Sequence, residues 1–118
     1  MANAFKNVTI QGTLAADEDH AVGSVIPNAT TTQTIIGMTV ANVSSPAEVI
    51  NVSVKMFYDT TETYIVKDAP IPIGGSLVVV GGDQKVVLFH NGTHGNRITV
   101  RSNVANSINV IMSYLEST

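Results

Sequence analysis

No cysteine and no tryptophan occur in this chain. Without thiols, neither a disulfide framework nor a thiolate zinc site can hold it together, so its stability must come from a buried apolar core. Its 118 residues suffice for one such core and set the expectation of a single domain over residues 1–118. Charge is scarce too. Asp, Glu, Lys and Arg make up 13% of the chain, against roughly 25% in an ordinary soluble domain. The basic residues Lys6, Lys55, Lys67, Lys85, Arg97 and Arg101 are scattered, and the net charge is −3. Neutralising phosphates takes several cations on one face, so nucleic acid is not an expected partner. No apolar run approaches the ~20 residues of a membrane helix. The start, Met1-Ala2-Asn3-Ala4-Phe5-Lys6-Asn7, lacks the basic-then-apolar run of a secretory signal. The expectation is a chain neither inserted in a membrane nor exported.

Asn, Thr, Ser and Gly stand where charges usually stand. A surface of hydroxyls and amides costs less to desolvate than one of Lys and Glu, and interface cores are depleted in charge. Such a composition suits a protein whose exterior meets other subunits. The alternative is a β-domain that is simply poor in charge.

Alternation with a period of two dominates the chain. Val49 to Tyr58 is the clearest case, with Ile50, Val52, Val54, Met56 and Tyr58 alternating with Asn51, Ser53, Lys55 and Phe57. Ile36, Met38 and Val40 are expected to share one face of a strand over Ile35 to Val43. Ile98 and Val100 point inward from Arg97 to Ser102, and Ile108, Val110, Met112 and Tyr114 from Ile108 to Glu116. Ile111 and Leu115 fall on the opposite face of that last strand, which is therefore not purely polar. Further strands are read over Phe5 to Leu14, Val22 to Ile26, Thr63 to Ala69, Ser76 to Val80 and Lys85 to Phe89. Asp59-Thr60-Thr61-Glu62 makes a hairpin turn. Pro70 and Pro72 lack the N–H that a central ladder needs and mark an edge or corner. Gly81-Gly82-Asp83 is a tight turn. About eight strands with turn signals between them predict an all-β fold, a single antiparallel β-sandwich, jelly-roll-like or immunoglobulin-like.

The search for chemistry yields little. His90 and His94 flank a loop and, with Asp83, are a conceivable metal site, but a credible site needs three or four convergent ligands. His20 stands alone. Asp17, Glu18 and Asp19 lack the glycine-centred calcium loop and read as a solvated acidic turn able to meet basic groups of a neighbour. No nucleophile elbow or other catalytic motif is present. The expectations are no enzyme activity, no cofactor and no metal. The absence of Trp weighs against an aromatic sugar platform. Five Asn-X-Ser/Thr triplets follow from the composition. Arg97 and Arg101 lie on one face of their strand and could clamp a carboxylate of a neighbour.

The order of elements is more specific. Val25-Ile26-Pro27-Asn28-Ala29-Thr30-Thr31 leads into a Thr/Ile strand, and Val40-Ala41-Asn42-Val43-Ser44-Ser45 into the Val/Ser strand ending Tyr58-Asp59. Ala69-Pro70-Ile71-Pro72-Ile73-Gly74-Gly75-Ser76-Leu77, Arg97-Ile98-Thr99-Val100 and the strand from Val110 to Glu116 follow. From Val25 to Glu116 this framework resembles the small β-sandwich accessory proteins of tailed-phage virions. The resemblance lies in strands and turns and carries over no functional residue. It implies a non-enzymatic virion structural protein, made in the host cytoplasm. The leading expectation is a capsid decoration or cement protein that bridges shell subunits as a homo-oligomer such as a trimer. Alternatives are a neck or tail adaptor, a fibre-attachment protein, or a glycan-binding module. Partners would be the major capsid protein or neck and tail proteins. Residues 1–19 are the expected arm toward a neighbour, and Phe5, Lys6, Asp17, Glu18, Asp19, Arg97 and Arg101 the expected interface residues.

Overall fold

The computed structural model describes residues 3–11, 14–23, 25–81 and 85–117. The turn at Gly82-Asp83, and with it the Asp83 partner for a histidine metal site, lies outside them. The described residues form nine strands and no helix: β1 (Asn3–Ile10), β2 (His20–Val22), β3 (Thr32–Asn42), β4 (Ile50–Tyr58), β5 (Thr61–Ile71), β6 (Ser76–Val80), β7 (Val86–Leu88), β8 (Asn96–Ser102) and β9 (Ile108–Ser117). They make two antiparallel sheets. One has the order β1-β9-β3-β6, with β7 also on β3; the other has the order β2-β8-β4-β5. The expected all-β sandwich is the fold observed.

The core lies between the sheets and follows the alternation. Ile50, Val52 and Val54 of β4, Ile98 and Val100 of β8, and Ile108, Val110 and Met112 of β9 are all buried. Burying a Val or Ile side chain is worth about 1.5–3 kcal/mol, so these inward rows are the main source of stability. Pro70 sits in β5, an edge strand, where a missing N–H costs no central ladder bond. Pro72 accepts the Gly75 N–H at 2.9 Å in the turn that carries the chain to the other sheet.

Two expectations, the placements of Ile36 and Tyr58, are corrected. In β3 the inward set is Ile35, Met38 and Val40, and Ile36 is only half-buried. The register on β9 shifts between Ile35 and Gly37, so Ile36 is the extra residue of a bulge and the odd spacing from 35 to 38 still keeps one face. In β4, Ser53, Lys55 and Phe57 of the second face are buried as well. Tyr58 is exposed instead, and its hydroxyl accepts from the Asn91 side-chain amide.

Two buried asparagines pin the connections. The Asn42 amide donates to the Glu48 carbonyl at 2.7 Å and to the Ile71 carbonyl at 3.1 Å. Asn96 accepts from the Phe89 N–H at 3.0 Å, while its own carbonyl takes the Ile26 N–H at 3.1 Å. The segment before β8 is packed so closely that a Cβ on Gly95 would stand 2.0 Å from the Ile26 carbonyl oxygen. Gly95→Ala is therefore expected to cost about 2 kcal/mol or more. At Gly37, where a Cβ would meet nothing within 4 Å, the same change is expected to be neutral or to stabilise by up to about 1 kcal/mol. Urea midpoints at unchanged m-value check the pair.

Candidate functional site

The outer faces of the two sheets differ in kind. On the four-stranded sheet, register places Ser53 beside Arg101, Lys55 beside Thr99 and Phe57 beside Arg97. Lys55 is only 4% exposed, although it points away from the core. Its ammonium lies 2.6 Å from Glu62 and 3.2 Å from Asp19, and it stands 5.1 Å above the Tyr64 ring. The Glu62 hydrogen bond raises the Lys55 pKa above its ordinary value; burial opposes this, and Asp19 adds to the rise. Arg97 stacks on the Phe57 ring at 4.4 Å. Arg101 donates to the Asp17 carbonyl, in a turn where Asp17 has φ 57° and its N–H bonds Ser102 at 2.8 Å. This face is covered by its own chain.

Among the described residues, the outer face of the five-stranded sheet has no such cover. Cross-strand partners share a face, so three rows can be traced. Phe5, Leu115, Thr34 and Val87 form the first; Asn7, Ser113 and Gly37 the second; Thr9, Ile111, Thr39 and Val78 the third. No charged residue stands in these rows. Phe5 is 77% exposed, Val78 64%, Ile111 55% and Val87 49%. Single exposed hydrophobics are ordinary; here four share one uncharged sheet face, spaced apart by Thr, Asn, Ser and Gly.

The expected interface residues divide accordingly. Phe5 belongs to the uncharged face. Asp19, Arg97 and Arg101, with the backbone of Asp17, belong to the covered face of the other sheet, where Asp19 and Arg101 are used within the chain. Glu18 is exposed in the same turn. Lys6 lies toward the inner side of β1 and pairs with Glu116 at 2.5 Å. That contact raises the Lys6 pKa. It also lowers that of Glu116, helped by a hydrogen bond from Gln33. Within the segment 1–19, Asn3–Ile10 is paired along its whole length with β9. Val78, Val87 and Ile111 were not expected at an interface. Ile111 carried a signal, as an apolar residue on the wrong side of its strand. Val78 carried none within the run Leu77-Val78-Val79-Val80.

The histidines do not converge. His20 contacts the Ala15 carbonyl at 3.1 Å. His90 Nδ1 accepts the Gly92 N–H at 3.0 Å, and His94 Nε2 lies 3.7 Å from Asp59. His90, His94, Asp59 and Arg97 line an open cleft of about 400 Å³. Among the described residues, no three metal-ligating side chains are grouped to hold an ion.

No protein-family profile matches the chain, and no curated protein sequence matches it. Among solved structures, it is similar to a chain of the acidic stable capsid structure of Helicobacter pylori bacteriophage KHP30, with a TM-score of 0.48 and 8% identity, over 100% of this chain and 89% of that one.

Two predictions follow from the ion pairs. Asp19→Asn combined with Glu62→Gln leaves Lys55 buried without a carboxylate, and is expected to cost about 2–3 kcal/mol. Lys55→Met, which removes the charge itself, is expected to cost less, and urea denaturation of both variants tests the order. The lowered Glu116 pKa makes its contribution to stability complete above the ordinary carboxylate value of 4.5 and lost as pH falls through the lowered one. Glu116→Gln should therefore flatten the acid limb of the stability profile without changing its neutral plateau slope.

Proposed function

We propose that this chain is a non-enzymatic structural subunit of a tailed-phage virion, acting as a decoration or cement protein that bridges neighbouring shell subunits. The observation that carries the reading is the uncharged outer face of the five-stranded sheet, with Phe5, Val78, Val87 and Ile111 exposed on it. A face of that kind serves contact with other protein rather than turnover of a substrate. The strand-and-turn framework from Val25 to Glu116, with its resemblance to virion accessory proteins, supplies the setting. In this reading the expected arm over residues 1–19 gives way to an edge: β1, paired with β9 of its own chain along its whole length, offers its open side to a neighbour.

The test is the abundance and place of the protein in purified particles. A decoration protein is expected in hundreds of copies per particle, spread over the symmetric shell, against about a dozen at a neck. Quantitative densitometry of virion gels and localisation in an electron-microscopy map read both. A dozen copies at one vertex would move the protein to the neck or tail. Complete absence from particles would end the virion reading.

A further inference from the structure

The geometry points to a second copy of this chain as the occupant of the uncharged sheet face: two molecules stack the outer faces of their five-stranded sheets across a twofold axis.

Three observations favour a copy over an unlike partner. The first is charge. An isologous contact brings each group near its own counterpart or that of a neighbour, so like charges are its usual obstacle. The three rows traced above hold none. The same absence gives a charged partner nothing to pair with.

The second is shape. The outer rows carry Phe5, Leu115 and Val87 with Thr34 in one, and Ile111 and Val78 with Thr9 and Thr39 in the other. The row between them is Asn7, Ser113 and Gly37, and a Cβ added at Gly37 would meet nothing within 4 Å. Rows two residues apart on a strand are separated by about 7 Å. The face thus has a shallow trough at Ser113 and Gly37, and a large side chain from an outer row of one copy fits the trough of another. Stacked sheets pack about 10 Å apart by such interdigitation.

The third is area. With the equally uncharged rows Asn3-Ser117-Thr32 and Asn109-Ala41-Ser76 at its two ends, four strands by about nine residues make a face of roughly 20 by 30 Å. That buries on the order of 600 Å² per copy, about 1,200 Å² for the pair, at the lower end of specific interfaces. A reversible dimer of modest affinity is the expected result.

This inference deepens the proposed function by naming what covers the face, and its outcome can be read separately. Sedimentation equilibrium of the full chain from about 5 to about 500 μM should show a monomer–dimer equilibrium. Ile111→Asp and Val78→Asp each place a carboxylate on an exposed position of the face and should weaken dimerisation at least tenfold, the size of a single lost contact of about 1.4 kcal/mol. Val49→Asp, equally exposed but outside the sheet, should leave it unchanged. Should the Asp variants fail to fold, the second measurement stands alone. A nitroxide on Ser113→Cys, at the centre of the trough in a chain with no other cysteine, should give an inter-copy distance of about 10–20 Å. A monomer across the whole range, a trimer, a dimer untouched by the folded Asp variants, or no inter-copy coupling at Ser113→Cys would overturn the inference. A dimer that no particle takes up would keep the self-contact and remove the virion role. A strict monomer that shells take up would do the reverse.

Discussion

The pairing of β3 with β9 is the contact on which the rest of the structure depends, because each of these strands also holds a neighbour on its far side. Ten residue pairs join them. β1 continues the sheet from β9, and β6 and β7 continue it from β3. Once these two strands are central, the pleat sends every second side chain to the core and the others outward. Met112, Val110, Met38 and Val40 then meet the four-stranded sheet. The same constraint leaves Ile111 and Thr39 nowhere to go but the opposite face. A one-residue slip would exchange the two sets, and the bulge at Ile36 keeps β3 from making that exchange halfway along.

The two outer faces solve the problem differently. On the four-stranded sheet a lysine is buried outside the core, which carries a desolvation penalty. Glu62 and Asp19 offset it, and Asp19 arrives from a loop tied down by the bonds of Asp17 to Ser102 and Arg101. The aromatic rings of Phe57 and Tyr64 shield what remains. On that face the buried lysine finds its carboxylates within one chain. On the five-stranded sheet, hydroxyls and small residues interleave with Val, Ile and Phe, and no loop lies across them among the described residues. A surface of threonine hydroxyls costs less to dehydrate than a charged one.

Much of this organisation is legible in the chain because it is local. The alternation from Ile50 to Val54 and from Ile108 to Tyr114 names the inward residues, and proline marks the edge at Pro70. The scarcity of charge agrees with an outer sheet face whose three rows hold no charged residue. What depends on distant partners is not legible. Lys55 looks solvated in its own strand, since Asp19 lies 36 residues away. The bulge that moves Ile35 inward is decided by the register against Tyr114 and Ser113. In Leu77 to Val80 every residue is apolar, so only the pairing of Val78 with Thr39 shows which one faces out.

The edges of the sheets narrow the ways in which such a molecule can associate. An open edge invites strand addition, and proteins blunt it with short strands, bulges, proline or charge. β2 has three residues. β5 carries Pro70 and sits beside a doubly shifted register on β4. The far side of β3 is split between β6, of five residues, and β7, of three. Three of the four edges are thus poor templates. The fourth is β1, eight residues long, with one charge, Lys6, already paired to Glu116. In the proposed role, contacts would be directed away from indiscriminate edge pairing and toward two defined places, the uncharged face and the β1 edge that borders it through Phe5. A subunit built this way can make a face contact with one neighbour and a strand contact with another, the minimum that a bridging protein requires.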